Sequence, residues 1–253
     1  MAKRVERSRA MTFSYNAVWE DAMRLLRRHA PLLAAIAGVF VFLPALLVNH
    51  FFPKPQPPLS DFQEYVRIML QYFRDHSLWL VLESFVAMVG TAAMLRLVLA
   101  ARTTVGAAIV FGIALLPVYS ILVVVANLVV IVGLILFIAP GLYLWGRLFP
   151  ASAAMVAENL RSPVAALRRS VVITKGHGWA VVGLYLIVNL CGLVLISAIH
   201  ALVGILFIAV AGQHFGGLLA MILGCALAAA LVTLLTMLSA AVYRALTTSI
   251  AKG

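Results

Sequence analysis

The chain has 253 residues, 64% of them hydrophobic and only 11% charged, with a mean hydropathy of +1.10. Soluble domains are about half apolar and a quarter charged, so this composition excludes a soluble globular domain and indicates a polytopic membrane protein. The net charge of +11 reads as the positive-inside bias of such a protein, not as a nucleic-acid footprint.

Residues 1–12 form a basic tail, with Lys3, Arg4, Arg7 and Arg9. No apolar core follows at signal-peptide distance, so no cleavable signal is expected. Residues 13–253 read as one membrane domain. Over 14–29 the pattern is helical and amphipathic, with Ser14 as N-cap and Phe13 and Val18 placed as a hydrophobic staple. Arg24, Arg27 and Arg28 gather on its polar side, with Glu20 one turn before Arg24. A first span follows at about 31–52, kinked at Pro44. The Pro-rich stretch 53–58 then makes a stiff, extended crossing.

Ser60 and Gln63 fit a capping box. Beyond them Phe62, Tyr65, Val66, Met69, Leu70 and Phe73 recur at helical spacing over 60–75, giving an amphipathic helix that is expected to lie at the outer interface or to cap the bundle. A second span covers about 77–100 and carries Glu83. Residues 103–117 read as a half-buried helix ending near Pro117, with a third span at about 117–138. Pro140-Gly141 is expected to turn the chain into a fourth span, about 141–157, which contains Arg147. Ser162-Pro163 is a helix start, and the basic helix over 162–175 ends at Gly176. The fifth span covers about 179–200, although the apolar run reaches Ala211 and would measure about 50 Å as one helix; it is therefore tilted, broken near His200–Gly204, or extended past the membrane. The sixth span, about 217–243, carries a stripe of small residues, Ala220, Gly224 and Ala228, that lets two helix backbones approach closely.

With the N-terminus inside and six spans, the inner side collects the tail cations, Arg24, Arg27, Arg28, Arg96, Arg102, Arg161, Arg168, Arg169, Lys175, Arg244 and Lys252. The outer side holds Lys54, Arg67 and Arg74. This asymmetry predicts a bacterial-type inner membrane with both termini cytoplasmic. Ser14, Thr104 and Ser162 each have an alanine three residues on, and each precedes an outward and a returning span. The pattern suggests three parallel units related about the membrane normal.

The stretch Ala139-Pro-Gly-Leu-Tyr143, Arg147, Glu158, Ala165-Ala-Leu-Arg-Arg-Ser170, Ile173-Thr-Lys-Gly176 and Trp179 resembles the membrane domain of glycerophosphoryl diester phosphodiesterases and the related YciC-like inner-membrane proteins. The order of spans is also similar, over roughly residues 12–245. The resemblance implies a fold and a lipid-associated context. It does not imply phosphodiesterase activity, which in that family resides in a separate soluble domain that this chain is not expected to carry.

Glu83 and Arg147 each stand about seven residues from the outer end of a span, and intramembrane charges mark functional sites. They are expected to pair, either as a lock between two spans or as a polar lining for a headgroup or proton path. Arg161, Arg168, Arg169, Lys175, Arg24, Arg27 and Arg28 are candidate contacts for anionic lipid headgroups. Asn127 and Asn189 are expected to bond to neighbouring helices. Cys191 and Cys225 lie in apolar spans as packing residues. No catalytic, cofactor or metal-ligand constellation is evident. The composite expectation is a non-enzymatic protein that handles lipid or another amphiphile. An accessory subunit of a larger membrane complex, or a homo-oligomer, is the alternative, and an intramembrane enzyme the weakest reading.

Overall fold

The protein, seen here as a computed structural model, is described over residues 13–55, 61–100 and 102–251. Among these residues all regular structure is helical. α1 (Tyr15–Ala37) passes through a π-helical turn at Gly38–Phe42 into α2 (Leu43–Phe51). The amphipathic α3 (Phe62–Asp75) precedes α4 (Ser77–Leu99) and α5 (Val105–Leu136). Short helices α6 (Ile138–Leu148), α7 (Ala151–Ala157) and α8 (Pro163–Ile173) lead to α9 (Gly178–Ala251). Among the described residues four helices are long and apolar enough to cross a membrane: Tyr15–Phe51, Ser77–Leu99, Val105–Leu136 and Gly178–Thr248.

The last of these folds back on itself. Gly212 has φ 78° and ψ 170°, a backbone conformation that glycine adopts without the Cβ clash other residues meet. On either side of it the chain pairs with itself: Gly216 lies against Phe207 and Ile208, Ala220 against Gly204, Gly224 against His200, and Leu231 against Gly192. Each step along one arm is matched on the other, so α9 is an antiparallel helical hairpin. The chain remains helical through His200–Gly204, so the break falls later than that expected position, at the one residue whose φ can reverse it.

Prolines inside apolar helices give further differences from expectation. The segments 14–29 and 31–52 form one helix through Pro31, and α5 runs through Pro117 without ending. In hydrocarbon a broken helix exposes backbone groups that water cannot reach, so a proline is absorbed by local adjustment. Pro44 shows how. Its ring would crowd the carbonyl of Phe40, and the preceding turn widens so that the Leu43 N–H donates to Gly38 instead. Pro140 sits in the first turn of α6, where its missing N–H has no partner to lose. The reversal expected at Pro140-Gly141 occurs at Phe137, which is extended (φ −158°, ψ 136°).

Three helix starts share one cap. The hydroxyls of Ser14, Thr104 and Ser162 accept from the N–H of Ala17, Ala107 and Ala165 at 3.4, 3.3 and 3.4 Å. Ser60 lies outside the described residues, and α3 is capped by Asp61, which accepts from Gln63 and Glu64. α8 ends at Ile173, and the turn that follows contains Gly176 at φ 84°.

Leu33, Ile36, Met94, Leu95, Leu122 and Met155 form the centre of the main core, joining α1, α4, α5 and α7. Val18, Ala22, Ile173, Val181, Leu238 and Val242 form a second one at the end where α1 begins and α9 finishes. The outside is as apolar as the inside: Val110, Ile135, Leu190 and Leu202 are 67%, 78%, 63% and 74% exposed. Exposed apolar surface on this scale fits acyl chains, not water.

Candidate functional site

Two polar features stand out, one at each end of the bundle. The first lies where α6 breaks into α7 at Phe149-Pro150, and hydroxyls from neighbouring helices cover the carbonyls there. Ser170 donates to the Arg147 carbonyl at 2.7 Å and Thr174 at 3.4 Å, while Ser239 on α9 donates to the Phe149 carbonyl at 3.2 Å. Ser170 and Thr174 are fully buried. The Arg147 guanidinium donates to the Tyr143 hydroxyl at 2.8 Å and to the Val171 carbonyl, and its buried Nε has no partner. Arg147 thus ties α6 to α8.

Around it, charges hold the helix ends together. Glu158, at the end of α7, accepts from Arg169 at 2.7 Å and from the Tyr243 hydroxyl at 2.9 Å. Asp21 pairs with Arg244 at 3.5 Å and with Arg24 at 3.6 Å. The partner expected for Arg24 was Glu20, and Asp21 takes that place because it also faces α9. Arg169 and Arg24 are therefore engaged within the protein. Arg27, Arg28, Arg161, Arg168 and Lys175 are exposed and make no ion pair among the described residues.

Glu83 lies at the other end, and the structure does not bring it to Arg147. Equal depth for the two charges requires 141–157 to be one straight span. The break at Phe149-Pro150 instead leaves Arg147 beside α8 and its guanidinium committed to Tyr143 and Val171. Glu83 belongs to an apolar groove of about 600 Å³ between α2 and α4. Leu43, Pro44 and Leu47 form one wall and Leu82 and Val86 the other. Leu47 and Leu82 are nearly half exposed, so the groove opens on the lipid-facing surface. Glu83 is half-buried and is the one ionisable side chain in the lining. It makes no ion pair or hydrogen bond among the described residues, although the charge of Lys54 reaches it.

The groove's mouth is aromatic. Phe52 stacks on Trp79 with centroids 5.6 Å apart and touches His76 at 4.9 Å. Tyr72 on α3 donates to the Phe52 carbonyl at 2.9 Å, which anchors α3 to the rim. Burial pushes the Tyr72 phenol above its ordinary pKa. On the rest of the apolar side of α3, Phe62, Leu70 and Phe73 are exposed and Tyr65, Val66 and Met69 half-buried.

The remaining candidates are placed as follows. Ala220 and Gly224 face the other arm of the α9 hairpin, while Ala228 is exposed. Asn127 was expected to reach a neighbouring helix, but its amide donates to its own helix at Val123, 2.8 Å away, because the backbone carbonyl one turn back is the acceptor in reach. No hydrogen bond to Asn189 is present among the described residues. Cys191 is exposed and Cys225 buried, both as free thiols, and the Asn49 amide lies 3.9 Å from the Cys225 sulfur. Among the described residues no group of His, Cys, Asp or Glu is arranged to hold a metal ion.

The sequence marked Glu158 only as part of the resembling stretch, without its partners, and pointed to neither Tyr243 nor Asp21, nor to the groove that Pro44 and Glu83 share. A Glu and an Arg flanking the short Ser162-Pro163 break was the available signal for the first. Comparison with protein-family models, curated proteins and solved structures gave no match.

Proposed function

We propose that this is a lipid- or amphiphile-handling membrane protein, acting by binding and presentation within the bilayer without chemistry of its own. The observation that carries the reading is the groove between α2 and α4. It has an apolar lining, opens sideways on the lipid-facing surface, and is about the size of a small-molecule site. An acyl or aryl tail gains from burial there at about 25 cal/mol per Å² of apolar area.

The topology we infer has six crossings: α1–α2, α4, α5, α6–α7 and the two arms of α9. The membrane is a bacterial-type inner membrane with both termini cytoplasmic, supported by the free cations Arg27, Arg28, Arg161, Arg168 and Lys175 near one end of the bundle. These cations, at the inner surface, are the proposed contacts for anionic headgroups. Three parallel units are supported by the shared caps at Ser14, Thr104 and Ser162. Kinship with the phosphodiesterase membrane domain is supported by the clustering of Arg147, Glu158, Ser170 and Thr174, all within the resembling stretch.

A second reading, an accessory subunit, is favoured by a groove of about 430 Å³ between α1 and α9, where Ala30, Ala34, Ala226 and Ala230 are exposed. Small side chains there would let a foreign helix approach closely.

The test is photo-crosslinking with a diazirine-bearing phospholipid in nanodiscs, with adducts mapped by mass spectrometry. The amphiphile reading expects adducts concentrated on α2 and α4 that saturate and are competed by unlabelled lipid. Adducts spread evenly over all lipid-facing helices would refute it.

A further inference from the structure

The groove's chemistry goes further than its shape. We propose that it selects amphiphiles with a cationic head, with Glu83 as counter-ion and the aromatic rim as the second recognition element; this rests on the groove being an amphiphile site. An ionisable group facing hydrocarbon is costly and persists where it meets a partner. Glu83 has none: no donor among the described residues reaches it, and Arg147 is occupied on α8. The surrounding surface is Leu43, Leu47, Leu82 and Val86, with nothing else of either charge in the lining.

A carboxylate in such a setting rejects anionic heads by repulsion and gives a neutral head no advantage. An organic cation satisfies it by a charge-assisted contact. Phe51, Phe52 and Trp79 add to this, because ring faces attract cations most strongly where water is displaced. Lys54 follows α2 at the exposed end of the groove, and its charge acts on Glu83. It is too far for an ion pair and works as a tethered competitor that an incoming cation displaces. Among the described residues, the charged or titratable groups around Glu83 include Lys54 on the crossing, Tyr72 on α3 and Cys225 on α9, with His76 at the mouth against Phe52.

Tetraphenylphosphonium and tetraphenylborate test the proposal, since they share size and apolarity and differ in the sign of charge. Equilibrium binding of each is measured to the full chain in nanodiscs, for wild type, Glu83→Gln and Lys54→Ala. The proposal expects saturable, one-to-one binding of the phosphonium, weakened at least tenfold by Glu83→Gln and tightened about threefold by Lys54→Ala. Tetraphenylborate is expected to show only the unsaturable partitioning of empty nanodiscs. Folding of each variant is checked by size exclusion and circular dichroism. If Glu83→Gln does not fold, Lys54→Ala decides, and an unchanged affinity there overturns the proposal. Equal saturable binding of both ions would overturn the charge selection while leaving the lipid crosslinks, and hence the amphiphile reading, intact. Loss of the crosslinks together with the phosphonium site would overturn both.

Discussion

Gly146 sits where α6 meets the start of α9, one residue before Arg147. A Cβ built on it would meet the Val182 side chain and lie 2.7 Å from the Gly178 carbonyl oxygen and 2.9 Å from the Val182 nitrogen. Carbon contacts are optimal at about 3.5–4.0 Å, so each of these atoms would stand well inside contact distance, where repulsion rises steeply. Two of the three obstacles are backbone atoms of a helix, which cannot rotate aside, so Gly146→Ala must push α6 away from α9. Overpacking of this kind costs about 1–3 kcal/mol, and the better helix propensity of alanine returns up to about 1 kcal/mol. With the overpacking cost at its midpoint of about 2 kcal/mol, the expected net loss is about 1–2 kcal/mol. Gly192 is the control, because its Cβ would meet only the tip of Leu231, 2.6 Å away, and that side chain can change rotamer. Gly192→Ala is expected within about 1 kcal/mol of wild type, of either sign, on the same scales. Equilibrium unfolding in mixed micelles with increasing SDS, followed by circular dichroism, measures both. A Gly146→Ala protein as stable as wild type would refute the close-packed α6–α9 contact.

Three further outcomes are expected. Glu158→Gln replaces a charge-assisted bond to Tyr243 with a neutral one and removes the pairing with Arg169, which is 37% exposed and so counts for little; the loss should be about 1–2 kcal/mol by the same unfolding assay. A double-mutant cycle of Glu83→Gln and Arg147→Met should show coupling within about 0.5 kcal/mol of zero, since the two side chains share no partner, and a larger coupling would restore the lock between spans. On α3, the hydrogen bond from Arg67 holds the Glu64 carboxyl below its ordinary pKa. The lowered folded-state value means any stabilisation is present above the unfolded pKa and is lost as pH falls through the folded one. A carbon-detected NMR titration should place Glu64 below the usual carboxylate range, and Arg67→Ala should return it there.

The parts of the fold that follow from local chemistry were legible in the sequence. The caps at Ser14 and Ser162, the helix α3, and the membrane setting itself depend on neighbouring residues or bulk composition. Chain reversals were less legible, because Pro31, Pro117 and Pro140 resemble the punctuation of soluble proteins. In an apolar medium the backbone stays hydrogen-bonded and absorbs them. The reversal at Gly212 depends on one φ angle, and several other glycines lie in the same apolar run. Of the candidate site, Glu83 was visible as an intramembrane charge, but its setting was not. The groove exists because Pro44 widens a helical turn on one element and Trp79 stacks on Phe52 across from it. Arg147 had a second obstacle: its partner is the main-chain carbonyl of Val171, and a carbonyl carries no residue-type signature. Tyr243 meets Glu158 from the far end of the chain, beyond the reach of any spacing rule.

Native mass spectrometry of the protein extracted gently from its own membrane, compared with a Leu82→Trp variant that fills the groove, tests the central claim most directly. An amphiphile-handling protein should carry a stoichiometric small amphiphile that the variant has lost, with no second protein attached. A stoichiometric partner protein in both samples, with no amphiphile retained by wild type, would contradict it and establish the accessory-subunit reading in its place.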